Sequence, residues 1–463
     1  FWLYVYPRLM LLEDDRRVRE AVFSTALPQL FSADRKAMVG VLGRHLLGPW
    51  WAAMSDPQKE VANAATRAFQ TVFPKQAKRD EVLAQAAPVI LGYLHGNLRL
   101  KPVDAVLDTS GGNGSSPEEA EERLERIVTC SLTALASLLM ALDEQIRARL
   151  LNTATMTAAP PQSPLPRPSP TADSSSTPAA AAAALPAFLL IDGQSSSLED
   201  VFRNSSTWKF LSDTRPLVRR AAYGLLAAVA ERADHVIRQT GQVGRVAQHV
   251  CGLLAEKETA NFGNMWEAML LFFHHFPKAL TTTLDCKTQL FPRVLKLVRA
   301  SFLGAAQASC PSLLPLVALV PPAAASASFY TDLLEALWKG AKADKNDGEE
   351  PYLVAIVEIA TYLLVRQPAK KEEEEGKEGE TKTTTEAELG VEEGVVLVGQ
   401  LLTVLAKVLT REGGVMEGPA SKALVTALAQ LEKAGMEGKK GRKCLLLDVE
   451  NEVWRGTRAV ALR

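Results

Sequence analysis

The segments SDTRPLVRRAA (residues 212–222) and SDPQKEVANAA (residues 55–65) place Ser, Asp, Val and an Ala pair at the same offsets. A catalytic motif is normally needed once in a chain, whereas a structural repeat is needed many times. The two copies therefore predict a repeated packing unit rather than a reactive site.

An apolar pattern with helical spacing follows each copy. Counted from Val61, apolar residues fall at offsets of 3, 4, 7, 8, 11 and 12, and the same offsets hold from Val218. This spacing describes one face of an α-helix. A third version, in EDDRRVREAV (13–22), puts Val18 43 positions before Val61. That separation lies within the period of roughly 40–47 residues of HEAT and armadillo repeats. The sequence therefore predicts an all-α solenoid of stacked helical hairpins.

Three kinds of residue define the predicted repeat. An Asp caps the start of the second helix, and the Val after it enters the core between the helices. An Arg directly after the Val is placed to reach a turn carboxylate of the same or the next unit. In the middle copy, Ala62 takes the place of this Arg. The predicted residues are Asp14, Val18 and Arg19, then Asp56 and Val61, then Asp213, Val218 and Arg219.

Composition excludes several classes of protein. The chain has 463 residues, of which 47% are hydrophobic, so it can bury a large core. It holds 52 Lys and Arg against 53 Asp and Glu, so no whole-chain field drives it onto nucleic acid or lipid. Its five scattered Cys favour a reduced intracellular compartment over a disulfide framework. The apolar stretches at 313–320 and 179–191 are too short to span a membrane. The hydrophobic start without Met indicates a piece of a longer protein.

Linkers divide the predicted solenoid. Helical signals occupy residues 116–150, 351–365 and 394–409, and strand-like alternation is nearly absent. Turn-rich or low-complexity composition separates them. We predict the following parts: helical repeats at 1–151 with a loop at 101–117, a disordered linker at 152–187, a second arm of repeats at 188–366, a charged loop at 367–393, and further helices at 394–463 that continue beyond this chain.

No motif predicts catalysis, a cofactor or a metal in this chain. GGNGSS (111–116) lacks the residues of a phosphate-binding loop, and His274–His275 has no acidic or Cys ligand at suitable spacing. GKKGRK (438–443) is a basic cluster, interpreted mainly as a solvated turn. Of the two tryptophans at 50 and 51, one is expected to pack between helices and the other to present an aromatic anchor. The candidate partner-binding residues are Arg16, Arg17, Lys36, Arg44, Trp50 and Trp51.

Two blocks of sequence carry a resemblance to a known family. YPRLMLLEDDRRVREA (6–21), followed by LLGPWWAAMSDPQKEVANAATRAFQTVFP (46–74), resembles the N-terminal region of the listerin family. Later segments, among them STWKFLSDTRPLVRRAAYGLL, resemble that region in the same order. The family is one of long HEAT-repeat E3 ubiquitin ligases of ribosome-associated quality control, which end in a zinc-binding RING domain.

The resemblance implies a docking role. It implies that this segment binds the large ribosomal subunit, through rRNA and ribosomal proteins, together with a NEMF-type quality-control factor. E2 and ubiquitin would engage through the distant RING, which alone would hold zinc. The expected location is the cytosol, without membrane or DNA binding. The alternatives are a generic HEAT scaffold or transport adaptor without a ribosomal role, and, with nothing beyond length in its favour, an independent enzyme.

Overall fold

The computed structural model describes residues 9–102, 116–150, 197–203, 205–321, 324, 327–344 and 348–365. Every regular element within these ranges is helical, which confirms the predicted all-α, solenoid-like class. The chain divides into two compact units, residues 1–249 and 250–463. The predicted linker at 152–187, the charged loop at 367–393 and the helices at 394–463 lie outside the described residues.

The first unit opens with a continuous helical rod. Helix α1 (Arg16–Ala21) runs into a π-helical turn at Val22–Ala26 and then into α2 (Leu27–Ala33). Helix α3 (Arg35–Val41) follows, then a second π-helical turn at Leu42–Leu46 and α4 (Leu47–Ala53). Helix α1 packs against the helix of the next repeat, so the two form neighbouring layers.

Helix α5 (Lys59–Val72) and helix α6 (Gln76–Asn97) follow, α5 packed on α1 and α2 and α6 packed on α4. Val61 is completely buried, and the apolar positions predicted after it are buried as well, at Ala64, Ala65, Ala68, Phe69, Val72 and Phe73. Burial of a Val side chain contributes about 1.5–3 kcal/mol, so this face holds α5 in the stack. The predicted helical register of the copy at residues 55–65 is therefore confirmed.

The same register holds in helix α11 (Pro216–Arg232), where Val218 is completely buried. Helix α7 (Pro117–Ala141) begins with the expected capping box, in which the amide of Glu119 donates to Ser116 Oγ at 3.2 Å. Helix α11 packs along α7, and α7 also contacts α6 and α4. Helix α7, which precedes the 152–187 segment, and helix α11, which follows it, are thus direct neighbours in one compact unit.

The copy at residues 13–22 departs from its predicted register. The prediction that Val18 enters the core is wrong, because its side chain is 39% exposed, whereas Arg19 is 2% exposed. The buried face of the rod runs through Arg19, Val22, Phe23, Leu27 and Phe31, one residue later than the pattern predicted. A polar contact made by Arg19 inside the stack turns this helix about its axis, as described below.

The rest of the first unit consists of short helices. These are α8 (Glu144–Arg149), α9 (Leu198–Arg203), α10 (Ser205–Lys209), a 3₁₀ turn at Phe210–Ser212, α12 (Asp234–Gln239) and α13 (Val243–Gly252). The boundary between the units falls within α13. The amide of Leu198 donates to the carbonyl of Leu150 at 2.8 Å, so the chain returns to the point from which it left.

The second unit shows the two-row packing of a helical array. After two 3₁₀ turns (Leu253–Ala255 and Thr259–Asn261), its helices are α14 (Phe262–His275), α15 (Phe291–Arg299), α16 (Ala306–Leu319), α17 (Ala327–Ala343) and α18 (Glu350–Val365). Two π-helical turns, Ala279–Thr283 and Cys286–Leu290, precede α15. Helix α16 packs against α14 and α18, and α15 packs against α17. Alternate helices thus form two parallel rows.

Helix α7 is long and apolar enough to cross a membrane by length and composition alone. In the fold, 61% of its most apolar window is buried. Because its partners are α4, α6 and α11, it has the packing of a core helix.

A left-handed turn joins α15 to α16. Ser301, Phe302 and Leu303 have φ of 51°, 50° and 54°, and Gly304 completes the turn at 85°. For residues other than glycine this conformation costs roughly 1–2 kcal/mol each. Phe302 is completely buried and its ring lies 5.9 Å from that of Tyr352, which holds the turn in place. Leu303 remains 45% exposed.

We expect Leu303→Gly to raise the free energy of unfolding by about 0.5–1 kcal/mol, because glycine adopts a positive φ without strain and little burial is lost. Leu217, which is 50% exposed in the right-handed helix α11, provides the control. Leu217→Gly should lower stability by about 0.5–1 kcal/mol. Chemical denaturation measures both, and equal destabilisation by the two variants would contradict the strain.

A second prediction follows from the bond between Leu198 and Leu150. Replacing residues 152–196 with a Gly/Ser linker of about nine residues should leave the fold intact. A roughly fivefold shorter loop lowers the cost of closure by about 1.4 kcal/mol, so the melting temperature should stay the same or rise. Circular dichroism and calorimetry test this, and a loss of helicity would show that the replaced residues are needed for folding.

Candidate docking surface around the turn at residues 11–15

The turn before α1 is held by arginines from two directions. Arg19 Nη1 donates to the carbonyls of Glu13 and Asp14, each at 2.8 Å. From helix α7, Arg126 Nη2 donates to the carbonyls of Leu11 at 3.0 Å and Glu13 at 2.9 Å. Carbonyls that lack a helical partner are costly to bury, so these bonds stabilise the turn.

Asp14 connects this turn to α7 through its side chain. Arg123 Nε donates to Asp14 Oδ1 at 3.0 Å, and Arg123 Nη2 contacts Oδ2, which makes the pair bidentate. Arg126 lies 3.3 Å from the same carboxylate. Burial opposes ionisation of Asp14, but Arg123 and Arg126 together hold the pKa of this carboxyl below its usual value. Predicted as a helix cap, Asp14 instead binds two arginines more than a hundred residues away.

A buried ion pair links the first repeat to the second. Arg19 Nε donates to Asp56 Oδ2 at 3.1 Å, and both side chains are almost completely buried. This confirms the prediction that Arg19 reaches the turn carboxylate of the next unit. The pair also explains the exposure of Val18, because a helix places only one of two adjacent residues on a given face.

The arginine contact recurs at the start of other helices. Arg79 Nη1 donates to the carbonyls of Phe73 and Pro74 at 2.7 and 2.9 Å, and Arg219 Nη1 donates to those of Asp213 and Thr214 at 2.9 and 3.0 Å. With Arg19, each is the fourth residue of its helix and binds the carbonyls six and five residues earlier. Sequence reasoning missed Arg79. The signal was an Arg seven residues after Val72, the last residue of the preceding helix.

The acidic residues before the helices act mainly through turns. Asp56 Oδ1 accepts from the amide of Gln58 at 2.8 Å, and Asp213 Oδ1 accepts from that of Arg215 at 2.9 Å. Both amides belong to the residue just before the helix, so the predicted caps lie two residues too early. In the first copy Asp15, rather than Asp14, is the cap, and it accepts from the amide of Arg17. The carboxylate of Asp213 is bound by Arg215 at 2.8 Å.

The candidate partner-binding cations lie at the surface near this turn. Arg16, Arg17 and Lys36 are exposed. Arg16 Nη1 lies 3.9 Å from Glu60 Oε2, and both of these side chains are exposed. An exposed pair of this kind contributes little to stability, so Arg16 can exchange its partner readily. No contact joins Lys36 to Arg16 or Arg17 in the part of the chain that is described. The side chain of Arg44 lies outside the described residues.

The two tryptophans have different environments. Trp50 is completely buried and donates from Nε1 to the carbonyl of Ala65 at 3.0 Å, with Phe69 packed edge-on at 5.5 Å. Trp51 is half-buried, and its Nε1 donates to the carbonyl of Ala134 in α7 at 2.9 Å. Trp50 is therefore the packing residue. Trp51 presents one partly exposed ring, with its polar edge already bonded within the chain.

The cysteines and histidines considered in the sequence analysis form no further candidate site in the described residues. Within the described ranges, no group of three His, Cys, Asp or Glu could hold a metal ion. Cys130, Cys251, Cys286 and Cys310 are buried and are not joined in disulfides, and burial raises the pKa of Cys286 to about 11. His274 and His275 contact each other with ring centroids 5.3 Å apart. The segments 111–115 and 438–443 lie outside the described residues.

We expect Asp14→Asn to destabilise the first unit by about 1 kcal/mol at neutral pH, because Arg123 loses the charge of Asp14 but solvent screens part of this half-exposed pair. The pKa of Asp14 is lowered in the folded protein, so its ionised form contributes stability that is fully present above the unfolded value near 4 and is lost as the pH falls through the folded value.

Denaturation of the wild-type chain and Asp14→Asn as a function of pH measures this effect. The difference in stability should be constant near neutral pH and shrink below about pH 4. Exposed Asp332 on α17 offers a matched control, and Asp332→Asn should change little. A difference between wild type and Asp14→Asn that does not depend on pH would contradict the ion pair.

Comparison with known proteins places these features in a family. Residues 1–320 match the family model described as E3 ubiquitin-protein ligase listerin, N-terminal domain. Among curated relatives, E3 ubiquitin-protein ligase listerin of Mus musculus is 23% identical over 469 residues, which covers 98% of this chain and 22% of the relative.

Two further relatives agree. The listerin proteins of Xenopus tropicalis and Gallus gallus are each 25% identical, over 81% and 70% of this chain. The aligned parts are 19% and 15% of those proteins, so the chain spans about a fifth of the length of its relatives or less. The turn at residues 11–15, the ion pair between Arg19 and Asp56, and both tryptophans lie inside the range that the family model matches. The chain belongs to the listerin family and carries its N-terminal domain.

Proposed function

We propose that this chain is the docking module of a listerin-type E3 ubiquitin ligase. It binds large ribosomal subunits that carry a stalled nascent chain, together with a NEMF-type partner, in the cytosol. The match of residues 1–320 to the N-terminal domain of the family supports this role, because that match covers the whole first unit. Ubiquitin transfer, with its E2 and zinc requirements, belongs to a RING domain elsewhere in the full-length protein.

The physical contribution of this segment is positioning. An array of stacked helices offers a long and fairly stiff surface, which suits attachment to a large particle. Attachment at one end raises the effective concentration of a distant catalytic domain near its substrate. Acceleration then comes from holding the two together, and side-chain chemistry in this segment is not required.

The surface around α1 is suited to a protein partner. Arg16 and Arg17 are exposed beside the exposed Asp15 and the half-exposed Asp14. The turn at residues 11–15 fixes the start of α1, so the backbone that carries these side chains is rigid. Alternating exposed charges on a fixed backbone can meet complementary charges on a protein, and they favour the correct register between the two.

Co-sedimentation of the chain with obstructed large subunits, with and without the NEMF-type factor, tests the proposal. We expect salt-dependent binding that exceeds that of an unrelated helical-repeat protein. Arg16→Glu with Arg17→Glu should weaken the binding that depends on the factor by about tenfold or more, because like charges then oppose the partner.

Lys296 and Arg299, exposed on α15 in the second unit, supply the control. Lys296→Glu with Arg299→Glu makes the same change in charge and should leave that binding unchanged. Binding no better than that of the unrelated repeat protein would favour a generic scaffold or transport adaptor over the ribosomal role.

A further inference from the structure

Two cationic side chains and a histidine lie near one another in the first unit. Arg245 and His249 are one helical turn apart on α13, so they project from the same face of that helix. Lys209 is the last residue of α10 and acts on His249 from a second element. Arg245 and Lys209 are exposed, and His249 is half-buried.

None of the three has a carboxylate partner in the described part of the chain. Arg245 Nη1 donates only to the amide oxygen of Gln242, at 3.3 Å. The charged groups that face His249 are both cations, Arg245 on its own helix and Lys209 on α10. Burial and then these two cations lower the pKa of His249 below its usual value. Arg238 on α12 is instead paired with Asp234 at 3.0 Å.

The arginines of α1 are arranged differently. Arg19 is buried against Asp56, and Arg16 faces Glu60. Asp15 is exposed beside them, and Asp14 is 49% exposed. Acidic groups beside these arginines offset part of their attraction for phosphate. The charges at α1 therefore fit a protein partner better than a nucleic acid.

We propose that Lys209, Arg245 and His249 form a phosphate-binding cluster through which the first unit contacts ribosomal RNA. This inference rests on the proposed function and names the residues that make its RNA contact. Cations without internal partners release counterions when they bind phosphates, and that release is the main source of affinity for nucleic acid. Arg245 can bind a phosphate with two N–H groups, and Lys209 acts as a point charge.

His249 makes the contact sensitive to pH. Two neighbouring cations disfavour its protonated form in the free protein, and a bound phosphate favours that form. Acidification therefore increases the protonated fraction and tightens binding. Neutral His249 at higher pH leaves two cations in place, so binding weakens without being lost.

Binding of the whole chain to an RNA duplex of about 20 base pairs, measured over a range of salt concentrations, tests the cluster. The variant is Lys209→Gln with Arg245→Gln. The control is Lys296→Gln with Arg299→Gln, which removes one Lys and one Arg from exposed positions on α15. All four side chains are exposed, so both variants should keep the melting temperature of the wild type.

We expect the cluster variant to bind the duplex about tenfold more weakly and to reduce the slope of log affinity against log salt by about 1.5. The control should match the wild type. Between pH 7.5 and pH 6, affinity should rise about threefold more for the wild type than for His249→Asn. Two results would overturn the inference. One is that Arg16→Gln with Arg17→Gln loses the salt dependence of binding. The other is that the cluster variant keeps the salt dependence of the wild type.

The same proteins are then mixed with obstructed large subunits. If the wild type binds the duplex through the cluster but does not bind the subunits, the proposed function fails and the phosphate site stands. If the wild type binds the subunits and the cluster variant binds them equally well at every salt concentration, the site is wrong and the docking role stands.

Discussion

The contact between Arg19 and Asp56 is the constraint on which the first unit depends. Two opposite charges are almost completely buried between adjacent repeats, and each also organises a turn: Arg19 holds the carbonyls of Glu13 and Asp14, and Asp56 holds the amide of Gln58. A buried charge is tolerated only when its partners are in place. The pair therefore fixes the rotation of α1, the path of the turn before it and the distance to the next repeat.

Apolar packing supplies the stability around this contact. Val61 and Val218 occupy corresponding positions, and small Ala residues beside them let neighbouring helices approach closely. Helix α7 then joins the repeats, because it packs along α11 on one side and reaches the first turn with Arg123 and Arg126. The bond from the amide of Leu198 to the carbonyl of Leu150 brings the two ends of the intervening segment together, so the stack is continuous on either side of it.

The same logic separates arginines that build the fold from cations that remain available. The first group donates hydrogen bonds to carbonyls and carboxylates of its own chain, and it comprises Arg19, Arg79, Arg123 and Arg219. Among the described residues, Lys209 and Arg245 have no acidic partner, and the acidic partner of Arg16 is an exposed one at 3.9 Å. In a chain with balanced charge, recognition depends on which charges the fold leaves unpaired. The two surfaces proposed for docking differ in this respect, one mixed in sign and one entirely cationic.

The sequence by itself determined the helical class, the capping box at Ser116, the apolar register after Val61 and Val218, and the resemblance to the listerin family. These features depend on local spacing, which a helix converts directly into a face. Tertiary structure alone decided that Arg19 and not Val18 faces the core, that Asp14 binds Arg123, and that Ser301–Gly304 turns to the left. It also decided which cations are free of partners. The physical reason is that each of these outcomes depends on a group brought close by folding, and spacing along the chain contains no information about that neighbour.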